Sequence, residues 1–407
     1  MTPVLVMKFG GTSLADPERI LAAIGLIDQA LSEGFRPVIA ASAMGKTTDA
    51  LIDLARQLDA DIDGPDRDLL LSTGEVVSCA LLSAALNARG RPAVALTGQA
   101  AGIVTDQSHG RARIQYISSR RLRSELADGR IPIVAGFQGA SQGGRVTTLG
   151  RGASDTTAVA LATALDADHC RIYTDVDGIY SADPRLVPAA RKIEQISYEE
   201  TLEMAALGAG VMHARSVEVA GRNRVPIEVR SSFNSNPGTW IMHADQIDIE
   251  TGAGVRAVVD DADVAQITVV GVPDRPGLAH AVFAPLANDD ISVDVIVQNI
   301  SHQGLTDISF TVQRADYDKA LAATQLTARE IGAQQVTSDP QVAKLSLVGT
   351  GMVSTPGVAS NMFGTLAEAG INIRGITTSE IRVTCLIGEA HLAKGARALH
   401  TAFGLDA

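Results

Sequence analysis

An internal repeat in the C-terminal part of the chain constrains the fold most. Val264-Ala265-Gln266-Ile267-Thr268-Val269-Val270-Gly271 answers to Val342-Ala343-Lys344-Leu345-Ser346-Leu347-Val348-Gly349. Further in, Pro276-Gly277, Ala279, Phe283, Leu286-Ala287 and Ile291 pair with Pro356-Gly357, Ala359, Phe363, Leu366-Ala367 and Ile371 at one constant offset. Each copy reads strand, glycine turn, helix, strand, strand, helix, the order of a ferredoxin-like βαββαβ unit. The second copy ends soon after its last helix and leaves no room for a fourth strand. Residues 255–259, which precede the first copy, are expected to supply it and so interlock the two modules. A turn-rich junction, Asn234-Ser235-Asn236-Pro237-Gly238, sets this region off from the rest. The remainder must hold a larger unit, because 407 residues exceed one ordinary core and 46% apolar content is ample to bury.

Ahead of the repeat, apolar runs alternate with amphipathic segments. Residues 4–9 read as a strand ended by Gly10-Gly11-Thr12-Ser13, and Asp16-Pro17-Glu18 opens a helix. A glycine pair after a strand can present backbone N–H groups to phosphates, with Lys8 adding positive charge, but it is also an ordinary turn. No third glycine follows at the dinucleotide-binding spacing. A second strand, 37–41, leads into Ser42-Ala43-Met44-Gly45-Lys46-Thr47-Thr48-Asp49. This nearly spells a phosphate loop, but Ala40 stands where the first glycine belongs, so the match is a decoy. Ser42, Thr47 and Thr48 remain candidate ligand contacts. Helices are expected over 49–58, 68–86 and 111–128, and strands over 93–97 and 131–136. Glu75 on the second of these helices gains weight only if an ammonium group needs a partner, since a lone glutamate is more often surface. The strand 169–173, the helices 198–207 and 214–221 and the strand 227–230 complete an alternation that favours a three-layer α/β sheet with ligands at the carboxyl ends of its strands.

Thr147-Thr148-Leu149-Gly150-Arg151-Gly152-Ala153-Ser154-Asp155-Thr156-Thr157 lies between an apolar run and an apolar-periodic segment. Two readings are open. One is a ligand-gripping loop that opens a helix: glycines permit close approach, the helix start attracts anions, and Arg151 offers a planar fork for a carboxylate or phosphate. In this reading Asp155 holds a metal ion or a lysine. The other is a capped helix with a flexible approach, in which Ser154 to Thr157 are cap residues. A second long loop, Thr174-Asp175-Val176-Asp177-Gly178-Ile179-Tyr180-Ser181-Ala182-Asp183-Pro184-Arg185, combines an aromatic face with a cation, which suits a nucleotide. Its spacing is wrong for calcium, because no glutamate closes it.

Charge and cysteines narrow the function classes. A net charge of −12 without a clustered basic face argues against nucleic acid as a partner. Cys79, Cys170 and Cys385 fit neither a disulfide framework nor a paired zinc signature, and the eight histidines lack metal spacing. With no signal-peptide pattern at the N-terminus and no run of eighteen apolar residues, a cytoplasmic protein with no membrane partner is expected.

Six stretches in register carry a resemblance: Lys8-Phe9-Gly10-Gly11-Thr12-Ser13, Ser42-Ala43-Met44-Gly45, Gly136-Phe137-Gln138-Gly139, the Thr-Thr-Leu-Gly-Arg-Gly-Ala-Ser-Asp loop, Tyr173-Thr174-Asp175-Val176-Asp177-Gly178, and Arg215-Ser216-Val217-Glu218. Together they resemble the aspartate kinases of the amino-acid kinase family, over nearly the whole chain. The repeat resembles paired ACT domains, small modules that bind amino acids. The resemblance implies a kinase domain over 1–245, a linker over 246–263 and ACT domains over 264–337 and 342–407. It further implies Mg-ATP phosphorylation of the L-aspartate side-chain carboxylate.

Site roles follow from the same resemblance. Lys8 steadies the transferring phosphoryl group, the Gly10 and Gly11 amides hold phosphate oxygens, and Asp155 orients Lys8 or Mg²⁺, with no protein cage for the metal. Ser42, Thr48, Glu75, Phe137, Arg151, Gly152 and Ser154 form the aspartate pocket, with Arg151 and Ser154 as anion clamp and Glu75 as ammonium partner. Phe9, Thr174, Asp175, Tyr180 and Arg185 hold ATP. Asp274, Gly277, Ala279, Gln298, Val358, Asn372, Ile373 and Ser379 form effector sites, implying feedback inhibition by lysine, threonine or both and homo-oligomers built through the ACT modules. A duplicated dimerisation module without ligand is the alternative for the repeat. An internal start at Met242 would yield a separate regulatory subunit. Two departures stand out: Gly210 replaces a lysine that contacts ATP in the family, and Ala153 replaces a glycine. The first keeps open a second reading, an amino-acid sensor with a decayed kinase domain.

Overall fold

The computed structural model describes residues 2–59, 62–150, 152–208, 210–247, 254–299, 304–352 and 355–406. They form two units. The first holds the chain up to Ile179 with 192–205 and 210–247; the second holds Tyr180–Arg191, 206–208 and the chain from Gly254 onward.

The first unit is built on an eight-stranded sheet. Its order is Gln195–Ser197, Thr239–Met242, Ile227–Ser231, His169–Thr174, Val4–Phe9, Arg36–Ala41, Ile131–Ala135, Ala93–Leu96. Only the Ile227–Ser231 and Thr239–Met242 pair is antiparallel. Central strands read as continuous apolar runs because helices cover both faces. Leu5, Met7 and Phe9 point to one face and join Ile39, Ala41 and Ile133 under Ile20, Ile24 and Ile27 of helix Pro17–Ser32 and Leu82 and Leu86 of helix Gly64–Asn87. Helix Ser154–Leu165 packs against the same central strands. Among the described helices, Gly64–Asn87 alone has the length and apolar content to cross a membrane. Here it packs on the sheet and buries Asp68 and Glu75.

One expectation changes. The helix expected over 111–128 is a strand, Ile114–Ile117, followed by a short helix, Arg120–Ala127. That strand opens a second sheet, Ile114–Ile117, Ile103–Thr105, Gln138–Ser141, Val146–Thr148, whose members are too short to show a period in sequence.

In the second unit the repeats share one six-stranded antiparallel sheet. Ala257↔Val348, Val258↔Leu347 and Val259↔Ser346 pair the residues ahead of the first copy with the first strand of the second. Ala257–Pro273 and Gln335–Val348 are each one continuous strand, so each serves both repeats, and residues 257–259 are the start of the first of these strands. The equivalent residues Val282 and Met362, Leu286 and Leu366, Ile291 and Ile371 fill equivalent cores. Ala182 and Val187 of the Tyr180–Arg191 segment are buried in the second of these.

Candidate active site

Strand alternation places Lys8. Met7 and Phe9 face the Pro17–Ser32 side, so Lys8 faces the opposite one, toward helix Ser154–Leu165, where its Nζ lies 2.7 Å from Asp155 Oδ1. Both side chains are about nine-tenths buried, so the pair is shielded from screening by solvent. The loops around it leave the carboxyl ends of adjacent strands: Gly10-Gly11 after Phe9, Ser42 after Ala41, Gly136-Phe137 after Ala135, and Asp175 after Thr174.

Glycine is required where loops touch. A Cβ on Gly11 would lie 3.0 Å from both the Ala43 and Gly45 carbonyl oxygens, and one on Gly136 would lie 3.0 Å from Ser154 Cβ. Gly152 has φ +74, and a Cβ there would meet His213 at 2.7 Å. Ala153, by contrast, sits at φ −76, an angle any residue adopts, so its replacement of a glycine needs no special backbone.

Glu75 reaches into this cluster. One carboxylate oxygen accepts the Ala43 N–H at 3.2 Å, while the other is buried without a partner. Burial pushes its pKa up to about 7 against the pull of its backbone hydrogen bonds. The structure thus gathers Ser42, Glu75, Phe137, Gly152 and Ser154, with Thr48 in the first turn of helix Thr47–Arg56. Phe137 holds φ +65, and its N–H donates to Thr157 Oγ1 at 3.1 Å. Arg151 lies outside the described residues. The helix start is not capped as the sequence suggested: Ala153 is the cap residue and no side chain closes it.

Other expected contacts are rearranged. Phe9 is fully buried and stacked on Tyr173, with ring centroids 5.0 Å apart, so its side chain is core. The Gly10 N–H donates to Tyr173 O at 3.2 Å rather than standing open to a phosphate. Thr174 Oγ1 donates to Asp175 Oδ1 at 3.1 Å. Tyr180 and Arg185 belong to the second unit, where the Arg185 guanidinium grips Asp183 through Nε and Nη2. Sequence reading missed Ser232, whose N–H donates to Thr174 O and whose hydroxyl meets Ser13 at 2.7 Å, and Arg19, which binds Ser232 O and lies over Phe233. No motif marks either residue.

In the repeats, Gly277 and Gly357 occupy the same place, each at positive φ ahead of a helix, Leu278–Asn288 and Val358–Glu368. Asp274 and Ala279 flank the first of these turns, and Gln298 ends the strand Val293–Gln298. Asn372 lines a cavity of about 550 Å³ with Asp339, Arg374 and His391, next to Ile373; Ser379 follows the strand Gly375–Thr378.

The chain matches the amino acid kinase family over residues 3–231 and the ACT domain over 267–325 and 345–403. An aspartate kinase of Pseudomonas putida is 48% identical over 404 residues, covering 99% of this chain and 98% of the relative. The chain belongs to the aspartate kinases. As an aspartate kinase it is an enzyme, with ACT domains and the allosteric regulation that goes with them. Two solved structures of E. coli aspartokinase III resemble it along its length. The complex with aspartate and ADP has a TM-score of 0.77 at 27% identity and covers 98% of this chain and 100% of that one. The complex with lysine and aspartate has a TM-score of 0.78 at 28% identity, covering 98% and 99%.

Proposed function

We propose that the chain transfers the γ-phosphoryl group of Mg-ATP to the side-chain carboxylate of L-aspartate. The product is 4-phospho-L-aspartate, at the first step toward lysine, threonine and methionine. Glu75 carries this reading: a buried carboxylate oxygen without a partner, beside Ser42 and Ala43, matches the ammonium group of an amino acid. Ser42, Ser154 and Phe137 complete the pocket, with Arg151 as the α-carboxylate clamp. A side-chain carboxylate oxygen of aspartate attacks the γ-phosphorus as the bond to ADP breaks, and Lys8 neutralises the charge that spreads over the phosphoryl oxygens.

Among the described residues no group of three or more His, Cys, Asp or Glu side chains could hold a metal. Mg²⁺ travels on the nucleotide phosphates, with Asp155 orienting Lys8 or meeting the metal. Thr174 and Asp175 take the nucleotide side. The E. coli relative that binds aspartate and ADP supports both substrates.

Lysine, threonine or both act as feedback inhibitors through the repeat, a reading supported by the lysine-bound relative. The assembly is a cytoplasmic homo-oligomer joined through its ACT modules, with an internal start giving a regulatory subunit. Release of ADP from ATP, followed with aspartate or glutamate and with added lysine and threonine, tests the whole reading. Turnover with aspartate alone, reduced by at least one of the two amino acids, is expected; equal turnover with glutamate would overturn the substrate, and indifference to both amino acids would overturn the regulation.

A further inference from the structure

The residues that lead to Gly150 are gripped from two sides, by Asp68, which lies outside every motif above, and by Arg215. Asp68, fully buried on helix Gly64–Asn87, accepts the Thr148 N–H at 3.0 Å and the Thr148 hydroxyl. The same carboxylate accepts the Gly110 N–H at 3.0 Å and the His109 Nδ1–H at 2.7 Å. From the other side Arg215 donates Nη1 to Leu149 O and Nη2 to Ala112 O, each at 3.0 Å. The Ala112 N–H donates to Thr148 O at 2.9 Å, and the Leu149 N–H to Phe137 O at 2.9 Å, which ties the gripped residues to the pocket wall.

We propose that Asp68 is a positioning residue for aspartate binding, acting through Thr148; the proposal rests on the reading that Phe137 and Ser154 border that substrate. Gly150, which follows at φ +93, is permissive, so the seating of Leu149 against Phe137 depends on how firmly Thr148 is anchored. Asp68 supplies that anchor with four donors on one carboxylate. Asp68 and Glu75 stand at i and i+7 of one helix, hence on one face, so a single rigid element sets both Thr148 and the ammonium partner. An asparagine at 68 would turn an NH₂ group toward the N–H groups of Thr148 or Gly110, donor against donor.

The test is steady-state kinetics of full-length Asp68→Asn, Thr148→Val and Thr148→Ser, with Glu75→Gln in parallel. Asp68→Asn should raise the KM for aspartate about tenfold or more and leave the KM for ATP within about twofold; Thr148→Val should show a smaller rise and Thr148→Ser should restore it. A folded Asp68→Asn enzyme with unchanged aspartate KM overturns the proposal, as does an equal rise in both KM values. Should Asp68→Asn not fold, Thr148→Val decides on the same criteria. If Glu75→Gln raises the aspartate KM and the Asp68 and Thr148 variants do not, the pocket reading stands and this inference falls. If the Asp68 and Thr148 variants raise it and Glu75→Gln does not, the inference stands and the role given to Glu75 falls.

Discussion

Lys8 Nζ lies 2.7 Å from Asp155 Oδ1, across the interface between the second-face side of the first strand and the first turn of helix Ser154–Leu165. A cation held by one carboxylate in a nearly dry site is oriented before substrate arrives, which is the condition for charge stabilisation without reorganisation. Lys8→Ala should lower kcat by about 100- to 1,000-fold, and Lys8→Arg should not restore it, because a planar fork does not replace a point charge. Asp155→Asn should lower kcat as well, and the double variant should fall short of the product of the two losses. Additive effects would show that the two residues act independently.

Glu75 gives a pH dependence with a definite sign. The unfolded chain ionises this carboxyl near the ordinary 4.5, the folded chain only near 7. The unfolded state therefore holds fewer protons in that window, and stability falls as pH rises through it, by about 3 kcal/mol in all, then levels off. Glu75→Gln should remove this loss, so the variant gains on wild type between pH 5 and 8 in urea unfolding. In the same variant the KM for aspartate should rise and lose its improvement above pH 7. A constant stability difference across the range would contradict the assigned ionisation.

Gly152→Ala places a methyl group at φ +74 and against His213 Cδ2. Strain of about 1–3 kcal/mol is expected, with a raised aspartate KM. Gly152→Ala combined with His213→Ala relieves the contact and not the backbone angle, so it should recover part of the loss. Full recovery would assign the whole effect to the contact.

Lys344, buried on the strand that both repeats share, meets Asp261 and Asp294 at 3.0 Å each. Asp261 is nearly buried and Asp294 half exposed. Lys344→Ala should cost about 3–5 kcal/mol because it strands a buried carboxylate. Asp294→Asn should cost under about 1 kcal/mol, since solvent already screens that partner. Thermal unfolding of the full chain orders the variants; a larger loss from Asp294→Asn than from Lys344→Ala would contradict the pairing.

Legibility in the sequence followed the length over which a pattern runs. The central strands, helices such as Pro17–Ser32 and the repeat declared themselves through apolar runs, caps and a constant offset, and counting strands pointed to residues 255–259, of which 257–259 pair with the second copy. The sheet of Ile103–Thr105, Ile114–Ile117, Gln138–Ser141 and Val146–Thr148 did not, because three or four residues cannot display a period and Arg111 to Asp128 is polar enough to pass for a surface helix. In the site, Lys8 and Ser154 were legible as candidates by residue type and position, and Glu75 as one only through the family resemblance. Asp68 was not, since its partners are backbone groups of residues 110 and 148, distant in sequence and unmarked by type. The stacking of Phe9 on Tyr173 and the Gly10 bond to Tyr173 O were equally hidden, for both depend on which strand lies next to which.

Trapping acyl phosphate with hydroxylamine reads out the proposed phosphoryl transfer itself. With L-aspartate, ATP and Mg²⁺ the wild-type chain should form aspartyl hydroxamate, and Lys8→Ala, equally folded, should form almost none. Equal hydroxamate from Lys8→Ala, or none from folded wild type at saturating substrates, would contradict an aspartate kinase that works through the Lys8–Asp155 pair.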